Sequence, residues 1–466
     1  MAGVIALTSR TFILQIISFT GTFLLTVFLA PHAFGIFFVV SAVVAFLNYF
    51  SDIGLAAALV QKKGRLANSD LKTTFTIQQI LVGTVVLVAL LFSSRVAKFY
   101  NLSVEGLWLF RSLILAFFLS SLKTIPSVLL ERRLDFNRLV IPQIIEVFLF
   151  YFVAVLLAWK GLGIKSFTYA VIVRGVSGLV VIYLLEPWLP GFSFDKQAAK
   201  KLLSFGVPFQ LNSFLGLIKD DLLTVYLGKV LPFSQVGFIG WAKKWAEIPL
   251  RLFMDSIIKV TFPAYSRLQD HRERLKKAIN KALFFLILVV LPVGLGLIFI
   301  IKPLVFLIPK YKKWEPALLS FYFFVFASIL AAISTPLTNA LNAIGRIDIT
   351  LKFMVLWTTL TWLLTPLLIF WFGFNGVAAA SFFIGLTSLL VVFVAKKYLQ
   401  FEFLPNILPS FFSVIVMSIF LFLLKRLTAT PFELFLYVFL GAIIYLGALF
   451  LLFKKKVLSE LQSVMR

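Results

Sequence analysis

The sequence contains no cysteine and only two histidines, His32 and His271. Without cysteine no disulfide can form, and a metal site of the His/Cys type lacks enough ligands. The sequence also has no glycine-rich phosphate loop and no nucleophile elbow, the motifs typical of nucleotide binding and serine hydrolysis. We therefore expect no disulfide, no metal and no cofactor.

Charged residues are also scarce, and acidic residues are the scarcer kind. Charged residues of both signs make up 14% of the chain. There are 44 Lys and Arg against 19 Asp and Glu, which gives a net charge of +25. Nucleic acid is the usual partner of so basic a chain. Here, however, the basic residues lie mostly in short segments between apolar runs, as the positive-inside rule of membrane proteins describes. We therefore expect a lipid bilayer as the partner and no nucleic acid.

Apolar residues are in excess, since 61% of the chain is hydrophobic and 16% aromatic, with 55 Phe. Soluble domains are closer to half apolar. Runs long enough to cross about 30 Å of hydrocarbon recur along the whole chain. This pattern predicts an all-α integral membrane protein with about 14 transmembrane helices. We place the spans near 8–30, 33–60, 73–94, 106–130, 139–159, 166–186, 204–228, 234–262, 278–301, 317–342, 349–371, 376–396, 404–424 and 432–453.

The segments between these spans predict the orientation and argue against catalysis. Alternate segments hold about 25 and about 11 basic residues, and an even number of spans puts both termini on the more basic, cytoplasmic side. The first apolar run continues into a full span, so we expect no cleaved signal peptide. No segment is longer than about 20 residues, too short for a soluble catalytic domain. We therefore predict a transporter and not an enzyme.

Three pairs of short segments repeat in the same order about 200 residues apart. We interpret them as two six-helix halves, residues 1–190 and 191–400, followed by two additional helices and a basic cytoplasmic tail in 401–466. Halves with an even number of spans insert in the same orientation, which places a substrate site between them near the midplane. The pairs are Thr26–Phe37 with Thr224–Ile239, Arg133–Asp135 with Arg346–Asp348, and Trp159–Gly163 with Trp371–Gly376.

Several of these stretches resemble one known family. They are Phe34-Gly-Ile-Phe37, Phe50-Ser-Asp-Ile-Gly-Leu55, Asp221-Leu-Leu-Thr-Val-Tyr-Leu-Gly228 and Asn339-Ala-Leu-Asn-Ala-Ile-Gly-Arg346. With them, essentially the whole chain resembles the oligosaccharide flippases of the polysaccharide-transporter branch, in the superfamily that includes multidrug and toxin extrusion proteins. The resemblance implies two six-helix bundles in a V-shaped arrangement plus two C-terminal helices.

The resemblance also implies a function. Such a protein would lie in the bacterial inner membrane and move an undecaprenyl-diphosphate-linked oligosaccharide from the cytoplasmic to the outer leaflet. It would alternate between inward-open and outward-open states, coupled to an ion gradient, and could work with other polysaccharide assembly proteins.

The stretch from Lys219 to Lys259 carries more charge than membrane spans normally tolerate. Charge inside a bilayer costs at least a few kcal/mol per residue, so such side chains face a bundle interior or a wet cavity. From Lys243 onward the charges alternate in sign every four residues, a spacing that lets neighbours pair along a helix. We interpret the stretch as the lining of a polar cavity.

Two sets of embedded charges are candidates for function. A diphosphate needs cations where its burial is most costly. Buried carboxylates can exchange protons or hold sodium. For each cation a neutralised structural network remains an equal alternative, such as Lys219 with Asp220 or Asp221. The predicted substrate contacts are Lys219, Lys243, Lys244, Arg174 and Arg251, and the predicted ion-coupling residues are Glu146, Asp220, Asp221 and Asp52.

Glu146 is the stronger carboxylate candidate, because it lies about 10 Å deep in its predicted span without a partner nearby in sequence. Asp52 is close to the cytoplasmic surface, where a helix-end salt bridge is the simpler interpretation.

Three other function classes remain as alternatives. A multidrug exporter of the same superfamily would need an acidic cavity, whereas the embedded charges here are mixed and slightly basic. A peptidoglycan lipid-precursor flippase is a closer alternative, because its substrate also carries a lipid diphosphate. A membrane polysaccharide polymerase or ligase would be expected to have a large external loop, which this sequence lacks.

Overall fold

The computed structural model describes residues 2–64, 66–211, 214–425 and 430–465. These residues form nineteen α-helices and one 3-10 helix, Lys312–Ala317, without a β-strand. The α-helices are α1 (Ala2–Phe28), α2 (Pro31–Asp52), α3 (Leu55–Gln61), α4 (Asn68–Leu91), α5 (Ser93–Tyr100), α6 (Val104–Leu122), α7 (Thr124–Arg132), α8 (Phe136–Trp159), α9 (Lys165–Leu185), α10 (Lys196–Leu211), α11 (Phe214–Val230), α12 (Phe233–Leu268), α13 (Arg272–Leu307), α14 (Leu318–Ala343), α15 (Ile347–Phe372), α16 (Asn375–Leu386), α17 (Ser388–Ala395), α18 (Leu404–Leu423) and α19 (Pro431–Met465).

Eleven segments among the described residues are long and apolar enough to cross a membrane, and Phe12–Phe28 is a shorter apolar helix. Many of their large apolar side chains are exposed to the surroundings of the protein, as expected where lipid is the solvent. The predicted all-α membrane class is therefore confirmed. The predicted number of fourteen spans remains a prediction.

One predicted span, 33–60, is divided into α2 and α3 by a backbone break. Ile53 and Gly54 both take left-handed dihedral angles, with φ of 45° and 70°, and end α2. A Cβ atom on Gly54 would overlap the carbonyl oxygen of Gly206 in α10. Glycine at position 54 thus allows both the positive φ and the close approach of a second backbone segment.

By its internal contacts the chain divides into two compact units, residues 1–237 and 238–466. In the first unit α8 packs against α1 and α9, and α9 also packs against α6. Helix α2 packs against α4, α6 and α11, whereas α10 packs against α3 and α4. This arrangement places α8 and α9, which carry Glu146 and Arg174, side by side inside the first unit.

In the second unit α13 packs against α14, α18 and α19, and α16 packs against α14 and α15. Its core includes buried residues from α13, α14 and α15, such as Ile279, Leu341 and Phe353. The two last helices, α18 and α19, also pack against each other. The domain boundaries at 190 and 400, drawn from the sequence repeat, remain predictions.

Candidate functional site

A largely buried ion pair lies in the first unit. Lys123 Nζ is 2.6 Å from Glu146 Oε1, and the two side chains are 15% and 12% exposed. Charges removed from water need a partner at this distance, because desolvation of either charge alone costs several kcal/mol. The pair joins the link between α6 and α7 to the middle of α8.

Lys123 reaches this position because α6 ends there. Pro126 has no N–H group, so the carbonyl oxygen of Leu122, four residues earlier, loses its normal helical donor. The hydroxyl of Tyr183 in α9 donates to this oxygen at 3.1 Å. The carbonyl group freed by the proline is thus satisfied, and the break between α6 and α7 is stable inside the helical unit.

A second cation lies on the other side of the same carboxylate. Arg174 Nε is 3.9 Å from Glu146 Oε2, and the guanidinium carbon lies 5.9 Å from the centre of the Phe150 ring. The Arg174 side chain is 51% exposed, so this contact is weaker than that with Lys123. One carboxylate therefore lies between two cations, and the three groups together carry one positive charge.

Gly178 in α9 provides the space for the carboxylate. A Cβ atom at position 178 would overlap the Oε1 atom of Glu146. Because α8 and α9 pack closely, only a residue without a side chain leaves room for the carboxylate between the two cations. Glu146 and Arg174 were predicted as site residues on separate grounds, and the structure brings them together.

A cavity of about 340 Å³ opens beside the ion pair. Lys123 and Glu146 both line it, together with the polar side chains of Gln143 and Glu131. The Oε1 atom of Gln143 is buried and has no hydrogen-bond partner among the described residues. A buried acceptor without a hydrogen-bond partner destabilises the protein. The cavity is therefore suited to a polar or ionic ligand that donates to this oxygen. The remaining lining residues are Ala56, Ser120, Thr124, Ser127, Val128, Leu139, Pro142 and Ile182.

Lys123 was not among the residues predicted from the sequence. A signal was nevertheless present, because Lys123 falls inside the predicted span 106–130, where a cation is costly. It was missed because its partner, Glu146, lies on a different helix. Pairing across that distance in sequence is decided by packing.

Three other charges predicted as site residues in the first unit lie on α11. Lys219 and Asp221 are partly buried, whereas Asp220 is exposed. The side chain of Asp52 lies outside the described part of the chain. The proposed roles of these residues remain predictions.

In the second unit, Lys243 and Lys244 of α12 are partly buried. Arg251 Nη2 lies 2.9 Å from Glu247 Oε2, one helical turn earlier, so the spacing of four residues produces an ion pair here. Arg251 is 63% exposed. The pair is therefore a partly exposed helix-surface pair with little effect on stability.

Trp241 of α12 is fully enclosed in the second unit. Its ring stacks on Trp314 with centroids 5.4 Å apart, and its Nε1 donates to the Tyr311 hydroxyl at 3.2 Å. This packing gives Trp241 a core role.

The two Arg-x-Asp segments of the predicted repeat make different contacts. Arg133 pairs with the buried Glu186 at 2.9 Å, while Asp135 accepts a hydrogen bond from the backbone N–H of Arg138 at the start of α8. In the second segment Arg346 pairs directly with Asp348 at 3.1 Å. The hydrogen bond to Asp348 raises the pKa of Arg346 above its ordinary value. Both segments therefore fix helix ends and loops.

Comparison with known proteins places these features in context. The sequence model of the family described as "Polysaccharide biosynthesis protein" matches residues 24–319. The lipopolysaccharide biosynthesis protein WzxC of Escherichia coli (strain K12) is 25% identical over 397 residues, covering 84% of this chain and 78% of the relative. The succinoglycan biosynthesis transport protein ExoT of Rhizobium meliloti (strain 1021) is 25% identical over 300 residues, covering 62% of this chain and 60% of the relative.

The fold is similar to that of a solved transporter. The structure described as lipid II flippase MurJ in an inward closed conformation superposes with a TM-score of 0.79. The match covers 97% of this chain and 99% of that chain, at 16% sequence identity. At this identity the likeness establishes a shared fold.

Proposed function

Since this chain belongs to the family of polysaccharide biosynthesis proteins, we propose that it flips an undecaprenyl-diphosphate-linked oligosaccharide across the bacterial inner membrane. The chain is a multi-pass bacterial membrane protein and a transporter, not an enzyme. The oligosaccharide moves from the cytoplasmic to the outer leaflet by alternating access, with both termini of the protein in the cytoplasm. The family match over residues 24–319 and the names of its relatives support this function.

The observation that carries the mechanism is the carboxylate of Glu146 between Lys123 and Arg174 beside a polar cavity. In the absence of substrate Glu146 satisfies both cations, so neither is buried without a counter-charge. A diphosphate entering the cavity offers the same cations charge-assisted hydrogen bonds of the same kind as the carboxylate. The carboxylate and the diphosphate then compete for Lys123 and Arg174.

An ion that binds Glu146 can shift this competition. A proton or a sodium ion that neutralises Glu146 releases the cations for the diphosphate, and loss of that ion restores the original pairs and expels the diphosphate. Binding of the ion at Glu146 and binding of the diphosphate to the two cations thus favour each other, and this coupling would link transport to an ion gradient. Lys219, Lys243, Lys244 and Arg251 are proposed as further diphosphate contacts, and Asp220, Asp221 and Asp52 as further coupling groups.

The decisive experiment is deletion in the native host followed by complementation with variants. We expect the deletion to abolish surface polysaccharide while its lipid-linked precursor accumulates on the cytoplasmic face. Wild-type protein should restore the polymer, whereas Glu146→Gln and Lys123→Ala should not. The matched control is Glu105→Gln, which breaks an exposed ion pair with Lys165 in the same unit and should complement fully.

Two results would refute this proposal. If surface polysaccharide is intact in the deletion strain and only drug sensitivity changes, the chain is a multidrug exporter. If cell-wall synthesis stops instead and peptidoglycan precursor accumulates, the chain is a peptidoglycan lipid-precursor flippase.

If Glu146→Gln complements fully, the coupling role of Glu146 is wrong, while the polysaccharide function stands.

A further inference from the structure

A cleft of about 610 Å³ lies in the second unit, over the last turns of α13. Helix α14 contributes Tyr322 to its lining, α18 contributes Phe422 near its end, and α19 contributes Tyr437. These helices pack on α13, and the cleft is the space left between them. It is separate from the cavity beside Glu146, which lies in the first unit.

The lining combines two cations with an apolar floor. Lys302 projects from α13 and Lys425 follows the end of α18, and both are exposed. The Lys425 ammonium lies 4.8 Å from the centre of the Phe422 ring, which brings it against an aromatic wall. The apolar residues are Ile298, Phe299, Pro303, Phe306, Leu307 and Phe422.

The cleft also lies at the depth of a lipid headgroup. Lys302 is within about 8 Å of the end of α13 at Leu307, at 1.5 Å of rise per residue. Lys425 follows the residue that caps the end of α18. Both ammonium groups therefore belong to the interfacial region, where phospholipid phosphates lie, and the apolar side chains of Ile298 and Phe299 lie one helical turn deeper on α13.

We propose that this cleft binds an anionic phospholipid, with its phosphate between Lys302 and Lys425 and one acyl chain on the aromatic floor. Charge complementarity selects an anionic lipid over a zwitterionic one, because a net negative headgroup is attracted by both lysines. The apolar lining favours a lipid over free inorganic phosphate, which would leave the Phe299 and Phe306 surfaces uncovered. The site holds α13, α14 and the α18–α19 pair together at one membrane interface.

The test uses the full-length protein in detergent with phosphatidylglycerol, phosphatidylcholine or undecaprenyl phosphate added. Native mass spectrometry measures how much of each lipid stays bound, and thermal unfolding measures the stabilisation that it provides. We expect wild-type protein to retain phosphatidylglycerol in preference to phosphatidylcholine. The double variant Lys302→Ala/Lys425→Ala should bind phosphatidylglycerol about tenfold more weakly.

Two controls separate this site from general charge effects. Lys160→Ala removes another exposed lysine just after the end of α8 and should leave phosphatidylglycerol binding unchanged. Lys302→Arg/Lys425→Arg keeps both charges and should also retain the lipid. If the alanine variant does not fold, Lys302→Gln alone gives the same comparison with a smaller expected loss.

Unchanged phosphatidylglycerol binding in the alanine variant would overturn the proposal. Equal retention of phosphatidylcholine and phosphatidylglycerol by the wild type would overturn it as well. If undecaprenyl phosphate displaces phosphatidylglycerol at equal concentration, the cleft is a site for the isoprenoid carrier and the phospholipid assignment is wrong.

Discussion

Gly35 and Gly237 occupy equivalent places on two helices whose first turns meet. Each is the fifth residue of its helix, in α2 and α12 respectively. A Cβ atom on Gly35 would overlap the carbonyl oxygen of Phe233, the first residue of α12. A Cβ atom on Gly237 would overlap the carbonyl oxygen of Pro31, the first residue of α2. The contact is reciprocal, because each glycine lies against the first residue of the other helix.

Gly35→Ala should destabilise the protein. The added methyl group meets backbone atoms, which cannot move aside as a flexible side chain can, so the two helix ends must separate. Overpacking of this kind costs typically about 1–3 kcal/mol. Thermal unfolding of the purified protein should show a lower Tm, and Gly237→Ala should have a similar effect.

The control for this prediction is Gly83→Ala in α4, where an added Cβ atom would have nothing within 4 Å. That substitution should maintain or raise Tm, because alanine is favoured over glycine in a helix by about 1 kcal/mol. Equal changes in Tm at positions 35 and 83 would show that the reciprocal contact is not tight.

Glu146→Ala should lower the free energy of unfolding by about 3 kcal/mol, because it leaves Lys123 buried without its counter-charge. The double variant Glu146→Leu/Lys123→Met removes both charges and should recover most of the lost stability. Thermal unfolding measures this part of the prediction. Neither variant should restore surface polysaccharide, since both lack the exchange between carboxylate and diphosphate. Transport by the double variant would contradict the proposed mechanism.

Gly178→Ala tests the position of the Glu146 carboxylate without changing any charge. The new methyl group would occupy the space of Oε1 and push the carboxylate away from Lys123. We expect surface polysaccharide to fall at least about tenfold, which corresponds to a loss of about 1.4 kcal/mol in the free energy of diphosphate binding. Gly296→Ala, which adds a methyl group where nothing lies within 4 Å, is the matched control in α13. Full complementation by Gly178→Ala would show that the carboxylate is not confined.

Arg251→Gln distinguishes a role of Arg251 in protein stability from a role in substrate contact. The ion pair with Glu247 is largely exposed on the arginine side, so its loss should change the free energy of unfolding by less than about 1 kcal/mol. If Arg251 contacts the diphosphate, complementation should nevertheless fail at normal expression. Normal polysaccharide with an unchanged Tm would restrict Arg251 to a surface role.

Much of the helical framework followed from the sequence. The prediction of a span near 139–159 agrees closely with α8, and that near 349–371 with α15. Long apolar runs determine such helices, because a backbone in lipid must satisfy its own hydrogen bonds. The break at Gly54 was not predicted, since it depends on the backbone of Gly206, about 150 residues away in sequence.

The same division applies to the candidate site. The sequence by itself determined that Glu146 and Arg174 are charges inside membrane spans, because burying them in lipid has a cost that only function or pairing can offset. Only the tertiary structure decided that Arg174 contacts the Glu146 carboxylate and that Lys123 is the closer cation to it. The reason is physical: hydrophobicity is a property of each segment, whereas a 2.6 Å ion pair depends on how separate helices pack.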